Sequence, residues 1–151
     1  RSAHLNIVPT TTGATEEVGQ IVPSLKDKFL GSALRVPVAT VSLLDLTVHL
    51  AEALSIDDVN QAYRDAADGY LKGCLSVCDE ELVSRDFFQD PHSAIVDARS
   101  TMTAGPLVKI NAWYDNEWGY AYRVAGLADW VARFIEEAPA TMQKELAAQP
   151  A

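Results

Sequence analysis

Residues 41–50 read Val-Ser-Leu-Leu-Asp-Leu-Thr-Val-His-Leu, and this stretch does most to decide the fold class. Its hydrophobicity alternates with a period of two. The even-numbered residues from Leu44 to Leu50 share one apolar face, whereas the odd-numbered residues from Leu43 to His49 form a mixed face. The pattern predicts a strand that buries one face. The alternation begins near Ser32, and Pro37 interrupts it, which indicates two strands or a bulge.

A helix is predicted directly after this strand. Ser55 can cap it, and Asp57 and Asp58 lie in its first turn, where acidic groups favour the helix dipole. Gly69 is a natural stop. The apolar stripe of this helix consists of Val59, Ala62, Tyr63 and Ala66.

A second helix is predicted earlier in the sequence, before the strand region. The polar turn Thr10–Gly13 leads into it, with Glu16 and Glu17 in the first turn and Pro23 near the end. Its spacing predicts a buried stripe of Val18, Ile21 and Val22.

The remainder of the chain is expected to add strands and one more helix. The strands are placed at Cys74–Cys78, Leu82–Asp86, Ala94–Thr103 and Leu107–Trp113. The helix follows Asp115-Asn116, either of which can cap it, and residues 136–151 are expected to be a loose tail. Its predicted buried face consists of Val124, Leu127, Trp130, Val131 and Phe134. The order predicts an α+β domain over residues 1–135, with a mainly antiparallel sheet and helices packed on one face.

Composition narrows the function classes. The 151 residues are 48% hydrophobic and carry a net charge of −9, without a cluster of Lys and Arg, so no nucleic-acid partner is expected. No apolar run approaches the roughly 20 residues of a membrane span, and no secretory leader opens the chain. Two cysteines are too few for a disulfide framework, which favours the cytoplasm. Because the chain begins at Arg1 rather than Met, we expect its N-terminal part to be missing.

Two features could bind an anion. Free backbone N–H groups at the Thr12-Gly13 turn suit a phosphate, although a capping role for the threonine is favoured on these residues alone. Arg35 lies in the apolar run Leu34–Pro37 and needs an internal carboxylate or a bound anion as partner. A position on a sheet surface or a subunit contact explains it equally well.

The cysteines and histidines give no clear site. Cys74 and Cys78 have no cationic neighbour or helix N-terminus in their segment, so structural thiols are favoured. No zinc spacing is present, and no metal is expected. His4, His49 and His92 are scattered along the chain.

The densest cluster of aromatic and polar residues is Trp113–Tyr120, which reads Trp-Tyr-Asp-Asn-Glu-Trp-Gly-Tyr. Asn116 could hydrogen-bond a carboxamide, and Tyr120 could cover an aromatic ring. A helix cap surrounded by core aromatics is the alternative, and the residues alone leave both open.

Together and in this order, several segments resemble glyceraldehyde-3-phosphate dehydrogenase. The resemblance runs from Arg1 to about Phe134, and its Pro-Thr-Thr-Thr-Gly turn and Trp-Tyr-Asp-Asn-Glu run are highly specific in combination. The segments that carry it are Asn6–Ala14, Leu34–Pro37, Val41–Leu46, Leu71–Gly73, Leu82–Asp86 and Trp113–Tyr120.

The resemblance implies a role for each candidate residue. Thr12, Gly13 and Arg35 would hold a phosphate of glyceraldehyde 3-phosphate or the attacking inorganic phosphate. Asn116 would bind the carboxamide of NAD or NADP, and Tyr120 would pack near the nicotinamide ring. The family implies aldehyde oxidation through a cysteine thioester, in glycolysis or the Calvin cycle, by a cytoplasmic homotetramer that associates largely through the sheet of this domain.

Parts of that machinery are absent from the chain. It has neither a Gly-x-Gly-x-x-Gly turn nor a Ser-Cys-Thr-Thr-Asn nucleophile segment, so no catalytic residue is assigned to it. An upstream Rossmann half is expected to supply both, and the chain alone is expected to be inactive. Pro37–Thr40 also departs from the usual Pro-Thr-Pro-Asn.

Two alternative functions are kept. Asp90–Asp97 resembles the erythrose-4-phosphate dehydrogenase branch, which uses the same chemistry without a phosphate nucleophile. The chain could also be a truncated, non-catalytic relative that acts as a binding module.

Overall fold

A computed structural model describes residues 3–137. The predicted tail therefore lies outside the described residues from position 138 onward, while Glu136 and Glu137 still belong to a helix. The chain divides into two compact units, one ending at Ala39 and the other beginning at Thr40. The prediction of one domain over residues 1–135 stays a prediction.

The first unit contains a small antiparallel pair of strands and one α-helix. Strand β1 spans Val8–Thr10, helix α1 spans Ala14–Ile21, and strand β2 spans Ala33–Arg35. Short 3-10 helices cover Ala3–Leu5 and Pro23–Leu25. In the β1–β2 pair, Val8 lies opposite Arg35 and Thr10 lies opposite Ala33.

The first unit has no buried core. Helix α1 forms where it was predicted, but its predicted buried stripe is wrong: Ile21 is 80% exposed, Val22 is exposed and Val18 is half-buried. None of residues 4–39 is buried. Two three-residue strands and an eight-residue helix have too little apolar surface to enclose one another.

The second unit is built on a five-stranded sheet. Its elements are β3 (Ser42–His49), α2 (Ile56–Asp68), β4 (Leu75–Cys78), β5 (Ala94–Asp97), β6 (Met102–Ala104), β7 (Leu107–Tyr114) and α3 (Trp118–Glu137), with 3-10 helices at Ser84–Phe87 and Ala98–Ser100. The sheet order is β3-β7-β5-β4, and β6 also pairs with β7. Strands β4 and β5 are parallel, while every pairing of β7 is antiparallel. The predicted α+β class with a mainly antiparallel sheet is confirmed.

Helix α2 covers one face of this sheet. Val59 packs with Val108 and Ile110, which lie beside Leu46 and Val48 of β3. The predicted apolar face is thus confirmed for Leu46, Val48 and Leu50, which pack against this cluster, whereas Leu44 is 44% exposed. Farther along α2, Tyr63 and Ala66 pack against a second buried cluster of Leu75, Val96 and Ala112. Of the predicted stripe of α2, only Ala62 is exposed.

A third cluster lies on the opposite side of the sheet. It contains Val41, Phe87 and Ile95, with Trp113 packed against it. The rings of Phe87 and Trp113 stack with their centroids 5.3 Å apart.

The ends of α2 follow the sequence prediction. The Ser55 hydroxyl accepts a hydrogen bond from the Asp58 N–H at 3.1 Å, and the Asp58 carboxylate accepts one from the Ser55 N–H at 3.2 Å. This reciprocal capping box satisfies two N–H groups at the helix start. At the other end, a Cβ on Gly69 would lie 2.8 Å from the Asp65 carbonyl oxygen, so a side chain there would force a shift.

The predicted strand at Leu82–Asp86 is wrong. This stretch enters the 3-10 helix at Ser84–Phe87. The Asp86 carboxylate accepts the Val83 N–H at 2.8 Å, a local bond that competes with sheet pairing. The predicted strand at Ala94–Thr103 is likewise divided into β5, a 3-10 turn and the start of β6.

Helix α3 forms as predicted, but its predicted apolar face is not buried. Leu127 is 60% exposed and Trp130 is 61% exposed, and the Trp130 ring stacks on Phe134 of the same helix. Val124, Val131 and Phe134 are exposed as well. The predicted buried face is therefore wrong within residues 3–137, where these side chains stay exposed. None of the described helices is long and apolar enough to cross a membrane.

Candidate functional site

The turn that precedes α3 is organised around the carboxylate of Asp115. This side chain is only 3% exposed. One of its oxygens accepts the N–H groups of Glu117 at 3.1 Å and Trp118 at 2.9 Å, and the other accepts the N–H of Gln89 at 2.9 Å. Asp115 therefore caps α3, and Asn116 does not.

These contacts set the ionisation of Asp115. Burial alone would raise its pKa, but hydrogen bonds from the backbone N–H groups of Trp118, Gln89 and Glu117 outweigh burial, and the pKa is lowered. The carboxylate is therefore charged at neutral pH, and it fixes the backbone on both sides of the turn.

An open cavity of about 250 Å³ lies beside this turn. Its lining residues are Ser93, Tyr114, Asp115, Asn116, Gly119, Tyr120 and Arg123. Both residues predicted to contact the cofactor are thus brought to one cavity. Tyr120 is 72% exposed, so its ring is not part of the core.

The side-chain amide of Asn116 is held by a hydrogen bond to its oxygen. The Ser42 hydroxyl, at the start of β3, donates to Asn116 Oδ1 at 3.1 Å. The amide nitrogen of Asn116 forms no hydrogen bond with any of the described residues and can donate to a ligand. The alternative interpretation, a helix cap surrounded by core aromatics, describes two other residues of this run. Asp115 caps α3, and the Trp113 ring stacks on Phe87. The cofactor role of Asn116 and Tyr120 stays a prediction.

Arg123 lies on the same side of α3 and was not singled out by its sequence. Its guanidinium donates to the Cys74 sulfur at 2.8 Å, to the Gly73 carbonyl at 2.8 Å and to the Pro91 carbonyl at 3.1 Å. The segment of Cys74 offers no cationic neighbour, as predicted, but in the folded chain the distant Arg123 supplies one. Forty-nine residues separate Cys74 from Arg123, so no local pattern could reveal the contact.

The predicted phosphate turn lies in the first unit. Thr12 is half-buried, and its hydroxyl accepts the Ala14 N–H at 3.2 Å, so it has the capping type of bond that the sequence favoured. Gly13 is the N-cap residue of α1. An anion at this turn would share the helix start with the side chains of Glu16 and Glu17.

Arg35 is exposed in the same unit. Its guanidinium has no hydrogen-bond or ion-pair partner in the part of the chain that the structure describes. Arg35 lies opposite Val8, four residues before Thr12. The β1–β2 pairing ends at Thr10 opposite Ala33, and the described residues show no hydrogen bond between Thr12 and Arg35.

A second cavity, of about 560 Å³, runs along the edge strand β4. Arg64, which forms an ion pair with Asp79, lines it together with Lys72 and His92. None of the predicted site residues lies there. No group of three or more His, Cys, Asp or Glu side chains suited to a metal ion occurs within residues 3–137.

Comparison with known proteins connects these features to one family. Residues 1–116 match the family described as glyceraldehyde 3-phosphate dehydrogenase, C-terminal domain. The chain is 52% identical over 133 residues to the chloroplastic glyceraldehyde-3-phosphate dehydrogenase GAPA1 of Arabidopsis thaliana, which covers 87% of this chain and 34% of that protein. It is 48% identical over 135 residues to glyceraldehyde-3-phosphate dehydrogenase of Mycolicibacterium smegmatis, covering 89% of this chain and 40% of that protein.

A further relative gives the same result. The chain is 53% identical over 134 residues to the chloroplastic glyceraldehyde-3-phosphate dehydrogenase B of Pisum sativum, covering 87% of this chain and 30% of that protein. The chain thus spans between 30% and 40% of the length of these three relatives. It belongs to the glyceraldehyde-3-phosphate dehydrogenase family, and the part of the family that it represents is the C-terminal domain.

Proposed function

We propose that this chain is the C-terminal half of a phosphorylating glyceraldehyde-3-phosphate dehydrogenase. The enzyme would oxidise the aldehyde to an acyl phosphate through a cysteine thioester, with NAD or NADP. The observation that supports the proposal is the 48–53% identity to relatives named glyceraldehyde-3-phosphate dehydrogenase. The nucleophile and the nucleotide fold would come from an upstream Rossmann half, because neither motif is present in this sequence.

The phosphate of substrate or of inorganic phosphate would bind in the first unit. The turn at Thr12 and Gly13 offers backbone N–H groups and a hydroxyl at the start of α1. Arg35 would supply positive charge, and its exposed guanidinium has no partner among residues 3–137 that would compete with the anion. These residues would bind and orient the substrate rather than react with it.

A nicotinamide ring fits the residues at the cavity beside α3. The free amide nitrogen of Asn116 can donate to a carboxamide oxygen, and the exposed Tyr120 ring can pack on an aromatic ring. When bound, the cofactor would accept the hydride of the aldehyde. The role of this chain would be to orient the ring, with Ser42 holding the Asn116 amide in one position.

The proposal includes a homotetrameric assembly and a cytoplasmic location for the enzyme. The homotetramer would form largely through the sheet of this domain, on the face opposite α2. That face carries the Asp45–Lys109 ion pair and the exposed Leu43 and Leu107. A cytoplasmic location is consistent with Cys74 and Cys78, which are free thiols.

The phosphate site is tested by calorimetric titration of inorganic phosphate into the full gene product that carries this chain. We expect Arg35→Ala to weaken binding by roughly 10- to 100-fold, because one charge-assisted hydrogen bond contributes about 1.5–3 kcal/mol. Arg99→Ala is the matched control: it removes the same charge from an exposed ion pair with Glu81 and should leave phosphate affinity unchanged. Equal affinities for the Arg35→Ala and wild-type proteins would remove Arg35 from the site.

A further inference from the structure

We propose that Arg123 is a positioning residue for the nicotinamide side of the cavity. It ties the first turns of α3 to the carbonyls of Gly73 and Pro91 and to the Cys74 sulfur, and thereby sets where Tyr120 lies relative to Asn116. The assignment of the ligand as a nicotinamide cofactor rests on the proposed function. The anchoring of the helix does not.

The guanidinium is held by three acceptors from two separate segments. One terminal nitrogen donates to the Cys74 sulfur, and the other donates to the carbonyls of Gly73 and Pro91. Arg123 is half-buried, and its Nε is buried without a partner among the described residues. The outer nitrogens therefore fix the orientation of the group, and the planar fork of an arginine suits this arrangement better than the single point of a lysine.

Helix geometry transmits this anchor to the cavity. Residues three and four apart lie on the same face of a helix. Arg123 follows Tyr120 by three positions and Gly119 by four, so these three residues share a face of α3, while Asn116 lies in the turn just before the helix. All four residues line the cavity. A displacement at Arg123 is therefore a displacement of the helix face that bears Tyr120 and borders Asn116.

Gly119 shows how closely this face approaches its neighbour. It is buried, and a Cβ added to it would lie 3.1 Å from the carbonyl oxygen of His92. The helix thus contacts the segment next to Pro91 directly, and Arg123 bonds to the same segment one turn later.

Within the described residues, α3 has few other attachments to the second unit. Asp115 fixes its beginning, and from Val124 onward its large apolar side chains are exposed. Arg123 is therefore the anchor that ties the first turns of α3 to the segments at Gly73–Cys74 and Pro91. Without it, α3 would be free to pivot about the Asp115 cap, and Tyr120 would move relative to Asn116.

The test compares Arg123→Met with wild type in the full gene product that carries this chain. Two quantities are measured: amide hydrogen exchange without cofactor, and calorimetric affinity for NAD and for NADP. We expect faster exchange at Trp118–Tyr122 and cofactor binding weakened on the order of 10-fold, since a small misplacement of an orienting group is felt at the site. In kinetic assays the KM for the cofactor should rise more than kcat falls.

Two further variants complete the design. Arg133→Met removes an arginine from the same helix, where it pairs with Asp129 on the surface, and should change neither quantity. Arg123→Lys keeps the charge and some donors, so we expect partial recovery of both quantities. It also provides a measurement if the methionine variant does not fold.

The outcomes are distinguishable. If Arg123→Met and Arg133→Met show the same exchange at the start of α3 and the same cofactor affinity, the positioning role is overturned. If the wild-type protein binds neither NAD nor NADP, the proposed function fails. The exchange data alone then decide whether Arg123 anchors the helix.

Discussion

Asp115 is the single residue on which the geometry of the cavity depends most, because its carboxylate accepts three backbone N–H groups from two segments. Asn116 follows it directly, and the start of α3 is fixed by the same side chain. The sequence could indicate a cap at this turn. It could not indicate the bond to Gln89, which is 26 positions away.

Asp115→Asn is expected to lower the free energy of unfolding at pH 7 by about 1–3 kcal/mol, since an amide cannot accept on both sides and leaves a buried donor unsatisfied. The pKa of Asp115 is lowered in the folded state, so its stabilising effect is present above the ordinary aspartate pKa of about 4 and is lost as the pH falls through the lowered value. Urea unfolding of the full gene product at pH 7 and near pH 3 measures this.

The matched control is Asp129→Asn, which removes an exposed carboxylate from α3. Asp129→Asn should lower the free energy of unfolding only slightly at either pH. If Asp115→Asn lowered the free energy of unfolding as much near pH 3 as at pH 7, the assigned role of the charged carboxylate would be contradicted.

Among single residues, the site was predictable where its signal is local. The run at Trp113–Tyr120 marks a turn with an exposed amide, and the structure places Asn116 and Tyr120 at one cavity. Arg123 could not be found in this way, because its partners are Gly73, Cys74 and Pro91 in distant segments.

Gly69 at the end of α2 and Gly126 inside α3 differ in the space available for a side chain. A Cβ on Gly69 would lie 2.8 Å from the Asp65 carbonyl, whereas one on Gly126 would meet nothing within 4 Å. We therefore expect Gly69→Ala to destabilise the protein by about 1–3 kcal/mol through overpacking.

Gly126→Ala, inside α3, should stabilise it by up to about 1 kcal/mol, because alanine loses less conformational entropy in a helix. Thermal unfolding measures both effects: we expect a lower Tm for Gly69→Ala and a higher Tm for Gly126→Ala than for wild type. Equal changes in Tm for the two variants would contradict the close approach at Gly69.

The elements that were predictable are those whose ends are set by neighbouring residues. The capping box at Ser55 and Asp58 and the stop at Gly69 are of this kind. The stretch at Leu82–Asp86 was predicted as a strand because its side-chain capping bond was not recognised. The stripes of α1 and α3 show that periodicity identifies an apolar face but not the element that covers it.

For the whole molecule, burial is uneven. Within residues 3–137, every buried hydrophobic residue lies between Val41 and Ala112, whereas residues 4–39 and the apolar side chains of α3 from Val124 onward are not enclosed. The chain also spans only 30–40% of the length of its three relatives. We propose that the upstream half completes both the packing and the catalytic site.

The central claim is tested most directly by following the oxidation of glyceraldehyde 3-phosphate, as cofactor absorbance, with the full gene product and with the 151-residue chain alone. The account predicts turnover by the full gene product that depends on inorganic phosphate, and none by the chain alone. Erythrose 4-phosphate oxidised faster, without a need for phosphate, would assign the substrate to the other branch. Turnover by the isolated chain, or none by the full product with either NAD or NADP, would contradict the account.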